Sequence, residues 1–192
     1  MIPKFIRFGI ETTLKIFCEK ITIKKINIVK KNDEKIDELH IKAESVSFNK
    51  INISKINIYV KNIIIKFAFH KNPFFIENCN PVIYMRLTKD NINKTLLSKK
   101  WNRLKTSIES FIEESFETID INNKLIYFLS SDGSLTSDIF CTLEYEKNTI
   151  LLVNNINNQK LSILNDKNIT FKNLFIRDRD IELELSSKII FN

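Results

Sequence analysis

Between Ile21 and Phe69 the chain alternates, and this alternation limits the fold more than any other feature. Ile21, Ile23, Ile26 and Ile28 come first, then Leu39, Ile41 and Ala43, then Val46 and Phe48 in the opposite phase. Ile51, Ile53, Ile56, Ile58 and Val60 follow, and then Ile63, Ile65, Phe67 and Phe69. Polar residues stand between them. A period of two in β-branched and aromatic residues is the pattern of antiparallel strands with one buried and one wet face. A slip of phase in the first run predicts a bulge. Asn32-Asp33 reads as a turn, and Asn72-Pro73 and Asn80-Pro81 punctuate the chain before a strand from Val82 to Leu87.

Helical spacing flanks this block. From about Pro3 to Lys20, Ile6, Ile10, Thr13, Leu14 and Phe17 form one stripe, with Phe5, Phe8 and Ile16 off it. Two readings stand: a helix wedged between core and neighbour, or one with a face on a membrane. Glu11 and Glu19 dilute the basic face that anionic lipid favours, so the first is preferred. Thr88 is a helix N-cap with Asp90 in the first turn, ahead of Ile92, Leu96 and Leu97. A second stripe follows: Trp101, Leu104, Ile108, Phe111, Ile112 and Ile119, opposite Lys105, Glu109, Glu113, Glu114 and Glu117. It predicts an amphipathic helix roughly 25 Å long.

The remainder reads as strands over Ile119–Leu129, Ile139–Glu146, Thr149–Val153, Lys160–Leu164, Ile169–Ile176 and Ile181–Phe191, with a hairpin turn at Ser131-Asp132-Gly133-Ser134. Helix, strands, helices, strands, without βαβ alternation, is the order of an α+β fold with a mainly antiparallel sheet. Gly occurs only at Gly9 and Gly133, and no Gly-, Pro- or Ser-rich linker divides the chain, so residues 1–192 are expected to form one domain.

Composition excludes more than it assigns. Phosphate-cradling loops need several Gly at fixed spacing. His40 and His70 are the only histidines, and Cys18, Cys79 and Cys141 lie far apart, which fits neither a zinc site nor a disulfide framework. Ser130, Ser131 and Ser134 lack a nucleophile-elbow pattern, and the carboxylates at Glu113-Glu114 and at Asp178 and Asp180 sit in charge-rich solvated stretches. A non-enzymatic protein without a cofactor is expected. The net charge of +7 permits an anionic partner. However, the cations are mostly Lys, and the abundance of Ile, Asn, Lys and Phe is what an AT-rich genome produces without functional cause; that reading is preferred. Aromatic and basic residues near Phe48 and Phe67 mimic a nucleic-acid surface, but their phase assigns the aromatics to the buried face. With no signal peptide and no spanning apolar run in the sequence, the expected location is the cytoplasm or the cytoplasmic face of a membrane.

Leu87-Thr88-Lys89-Asp90-Asn91-Ile92-Asn93-Lys94-Thr95-Leu96 resembles the hallmark string of the LmeA-like phospholipid-binding family. There a strand ends in Leu-Thr, an acidic residue precedes Leu-Asn, and Leu follows three residues later; Asn91 here stands where Asp is usual. Upstream, Ala43, Val46, Phe48, Lys50 and Ile51 match a family segment in which Lys50 replaces Gly. Ser98-Lys99-Lys100-Trp101 is similar to a Ser-Pro-x-Trp segment of cyanobacterial members, without its Pro. The likeness is best over residues 21–116.

The resemblance implies a strongly curved antiparallel sheet wrapped around a long amphipathic helix, as in tubular lipid-binding proteins, and phospholipid binding without catalysis. The candidate apolar lining is Ile65, Phe67, Phe69, Ile83, Met85, Leu104, Ile108 and Phe111. Enclosing an acyl chain of about 16 carbons is worth roughly 13 kcal/mol at about 0.8 kcal/mol per CH₂, although the same side chains could close into a dry core. Thr88, Asn91 and Asn93 are expected to cap the helix rather than touch a headgroup. Lys99, Lys100, Trp101 and Arg103, with the N-terminal helix, are candidate contacts to an anionic membrane. The alternative is a nucleic-acid- or protein-binding module using Lys24, Lys25, Lys30, Lys31, Lys99, Lys100 and Arg103.

Overall fold

The computed structural model describes residues 2–31, 35–66, 75–77 and 80–187. The expected turns at Asn32-Asp33 and Asn72-Pro73, and Phe67, Phe69, His70, Cys79 and Phe191, lie outside the described residues. The chain is α+β with mainly antiparallel sheets. It opens with α1 (Ile2–Phe17), β1 (Lys20–Lys30), β2 (Lys35–Phe48), β3 (Ile51–Lys66), β4 (Phe75–Glu77) and β5 (Val82–Thr88). Next come α2 (Lys89–Leu96), a short 3₁₀ turn (Lys99–Trp101) and α3 (Asn102–Ile112). The rest is β6 (Thr118–Asn122), β7 (Leu125–Leu129), β8 (Cys141–Glu146), β9 (Thr149–Asn154), β10 (Lys160–Asn165), β11 (Ile169–Arg177) and β12 (Asp180–Ser187). One sheet runs β1-β2-β3-β5-β12-β11, with β4 beside β3; the other runs β10-β9-β8-β7-β6. The described strands therefore divide between two open sheets.

The phase slips have a backbone cause. Ser45, at φ 51°, lies between Ala43 and Val46, and Asn62, at φ 54°, lies between Val60 and Ile63. A residue in left-handed geometry rotates the strand, so residues an odd number of positions apart point the same way, while the register of β2 on β3 runs unbroken past both sites. Ala43, Val46, Val60 and Ile63 are accordingly all buried. The register of β1 on β2 shifts after Lys20, Ile23 and Val29, as the broken phase of β1 requires.

The α1 stripe is partly as expected. Ile6, Ile10 and Leu14 pack on Ile26, Ile36, Leu39, Ile41, Val60 and Ile63 of the first three strands. Phe17, counted in that stripe, is instead 67% exposed.

α3 is shorter than its stripe. It has 11 residues, about 16 Å at 1.5 Å each, and stops where Glu113 turns left-handed at φ 60°. Its last turn holds no basic residue, while Glu113, Glu114 and Glu117 crowd the negative end of the helix dipole. Ile119, in helical phase with Ile108 and Ile112, is instead buried on β6.

Candidate functional site

The expected lining residues that the structure describes meet in one apolar cluster. Ile83 and Met85 of β5 and Leu104 and Phe111 of α3, all partly buried, pack with buried Ile108 against Ile112, Phe116, Phe128, Leu183 and Leu185. Met85 also touches the neighbouring cluster around Ala43, Val46 and Ile53, so apolar contact continues along the inner face of the seven-stranded sheet. The side chain of Ile65, with Phe67 and Phe69, lies outside the described residues.

The hallmark string builds structure. Thr88 Oγ1 accepts from Asn91 N at 3.2 Å, and Asn91 Oδ1 accepts from Thr88 N at 3.2 Å, a reciprocal capping box. Asn93 goes further than the expected cap. Its Oδ1 accepts from Ile119 N at 2.8 Å and its Nδ2 donates to Ile119 O at 3.1 Å, which ties α2 to the edge strand β6. A side-chain amide carries a donor and an acceptor side by side, so it satisfies a backbone N–H and C=O together. Sequence spacing carries no signal of a partner 26 residues away.

The tip of the β2–β3 hairpin gathers residues distant in sequence. Asn49 and Lys50 both have positive φ, 54° and 64°, the two-residue loop that matches strand twist. Lys50 thus holds the left-handed geometry that suits the Gly of the resembling family. Trp101 Nε1 donates to Asn49 O at 3.2 Å, and Lys100 Nζ bonds Asn49 Oδ1. Lys50 Nζ lies 3.3 Å from Glu19 Oε1, and Ser47 Oγ donates to Glu19 at 2.9 Å. Lys99 and Arg103 are exposed beside this clamp, while Trp101 is half-buried. Phe48, placed on the buried face by its phase, is instead 47% exposed.

The cations of the alternative reading do not share one face. Lys20 pairs with Ser47 near the tip, while Lys30 pairs with Ile36 at the other end of β1. Ten residues of strand separate them, roughly 33 Å. Lys24 and Lys25 lie between, Lys24 ion-paired with Glu44 at 3.3 Å.

The wet face of the large sheet carries an open groove of about 760 Å³, lined by Tyr59, Tyr84, Arg86, Phe175, Arg177 and Glu184 among others. His40 stacks on Tyr59 with ring centroids 3.9 Å apart, and Tyr84 meets Tyr59 edge-on. Burial holds the His40 imidazole below its ordinary pKa, and Lys42 and Lys25 push the same way. Arg86 pairs with Asp180, and Tyr84 Oη donates to Glu184 at 3.3 Å.

Side chains weighed as catalytic are engaged locally. Ser130 Oγ bonds Asp132, which also accepts from Ser134 N at 2.9 Å. These bonds pull the Asp132 carboxyl down to about 2. Burial pushes the Cys141 thiol up to about 11, far from nucleophilic at neutral pH. Among the described residues no helix is long and apolar enough to cross a membrane. No protein-family model, curated protein sequence or solved structure matches this chain.

Proposed function

We propose that this chain is a non-enzymatic phospholipid-binding domain acting at the cytoplasmic face of a membrane. The observation that carries the proposal is the incompletely closed apolar interior. Ile83 and Met85 on β5 face the same cluster as Leu104 and Phe111 on α3, and all four keep solvent access around buried Ile108. Partly buried apolar side chains at the rim of a core are what an acyl chain covers, at roughly 0.8 kcal/mol per CH₂ removed from water. The LmeA-like string at Leu87–Leu96 supports the same reading. In the lipid-loaded protein the β5 side of the large sheet curves around α3 in the tubular manner, with the chain between them. Lipid extraction and native mass spectrometry of purified protein test this. A co-purifying phospholipid is expected; no recovered lipid together with no transfer from vesicles refutes it.

One observation favours nucleic acid instead. The wet-face groove carries Tyr59, Tyr84 and Phe175 at 40%, 41% and 48% exposure, with Lys55, Lys61, Arg86 and Arg177 along its lining. Exposed aromatics among cations suit stacked bases and their phosphates. Binding of single-stranded RNA that weakens steeply between low and physiological salt would establish this reading; no shift at low salt removes it.

A further inference from the structure

We propose that the tip of the β2–β3 hairpin, with the last turn of α1 and the segment 97–103, is a docking surface for an anionic lipid bilayer. The proposal deepens the phospholipid-binding reading, since it presents the domain to its lipid source.

Three elements meet at this end, each through a bond to the hairpin. The residues after α1 are held by Glu19 N donating to Ser47 O at 2.8 Å and by the contacts of Glu19 with Ser47 and Lys50. The end of α2 is held by Thr95 Oγ1, which accepts from Asn52 N at 3.0 Å. The 3₁₀ turn is held by Trp101 and Lys100 on Asn49. The surface is therefore assembled and rigid before it meets a ligand.

What it presents is apolar and cationic together. Ile16 is 73%, Phe17 67%, Leu97 56% and Phe48 47% exposed. The same segments carry exposed Lys15, Lys20, Lys50, Lys99, Lys100 and Arg103. Glu19 is the carboxylate bonded into this assembly, and Ser47 and Lys50 already occupy it. Charge complementarity therefore calls for an anionic partner. Large apolar side chains protruding singly among flexible cations suit headgroups and upper acyl chains. Trp101 serves as the clamp of the platform, its indole N–H held by Asn49 O.

The test is sedimentation with vesicles of phosphatidylcholine alone and of phosphatidylcholine mixed with phosphatidylserine. Strong partitioning to the mixed vesicles, reversed by salt, is expected. Lys99→Ala with Arg103→Ala is expected to weaken it about 25-fold at low salt, about fivefold per juxtamembrane cation. Ile16→Ser with Phe17→Ser is expected to weaken it by at least about tenfold, as exposed apolar area is lost from the bilayer contact. These side chains are exposed, so the variants keep the fold, which circular dichroism checks. The control is Lys35→Ala with Lys61→Ala, at the far end of the hairpin; Lys61 lies roughly 36 Å along β3 from Lys50. Equal losses in the control, or wild-type partitioning that neither tip variant lowers, overturn the proposal. Co-purified lipid separates the two ideas. Protein that carries phospholipid but never partitions refutes docking alone. Protein that partitions through the tip but carries no lipid refutes only the lipid-binding reading and leaves docking standing.

Discussion

Asn93→Ala should cost far more than removal of a helix cap. Two bonds disappear at once, from Ile119 N at 2.8 Å and to Ile119 O at 3.1 Å. Ile119 is only 4% exposed, so water replaces neither partner well. A net hydrogen bond is worth about 1 kcal/mol, and a backbone group left unpaired in the interior costs about 1–3 kcal/mol. The expected loss is about 2–4 kcal/mol, against about 1 kcal/mol for Thr88→Ala at the cap. For a chain of this size that corresponds to a fall in Tm of roughly 5–15 °C. Asn93→Asp keeps the acceptor for Ile119 N but sets a carboxylate oxygen against Ile119 O, so it should not rescue stability. Urea unfolding followed by circular dichroism, with lipid content measured on the folded variants, reads both effects. A loss below about 0.5 kcal/mol for Asn93→Ala would refute the bridging role. Lost lipid at unchanged stability would instead make Asn93 a headgroup contact.

Lys50→Gly should stabilise the protein by about 1 kcal/mol, because Lys50 holds φ 64° at a cost a glycine does not bear; a lower urea midpoint would show that the ion pair with Glu19 outweighs the strain. Peptide mapping after alkylation at pH 8 should find Cys141 unmodified, its thiol raised to about 11 by burial, and Cys18 modified first; equal labelling of the two in folded protein would contradict the buried placement of Cys141. The Asp132 carboxyl is depressed in the fold, so its bonds stabilise the turn above the unfolded value near 3.8 and are lost as pH falls through about 2. The Ser134 amide resonance should titrate with a midpoint near 2, and a midpoint near 4 would mean that these bonds do not form in solution.

Much of the fold is legible in the residues because strand and cap signals are local. Alternation from Ile21 onward marks long antiparallel strands, and the phase slip in its first run marks the register shifts of β1 on β2. Thr88 as a cap follows from its neighbours within one turn. The apolar cluster was legible for the same reason, since phase places Ile83, Met85, Leu104 and Ile108 on inward faces. Phase failed where coverage ends. Phe17 and Phe48 keep their periodic positions but stay largely exposed. It failed again at Ile119, whose helical spacing from Ile112 survives as a coincidence after Glu113 has ended the helix.

The sequence by itself determined the order of helices and strands, the Thr88 cap and that the cations are mostly Lys. Those properties depend on residues within a few positions of each other. The sequence missed the end of α3 at Glu113 and the turn at Asn123-Lys124 that splits the expected strand Ile119–Leu129 into β6 and β7. Only the tertiary structure decided that the strands divide into two sheets, that Asn93 pairs with Ile119, and that Trp101 closes over Asn49, 52 residues earlier. Such contacts depend on register and chain reversal, which combine many local geometries into one arrangement in space. Lys100 and Trp101 read along the chain as part of one basic segment; only folding bonds both of them to Asn49 at the tip of the β2–β3 hairpin.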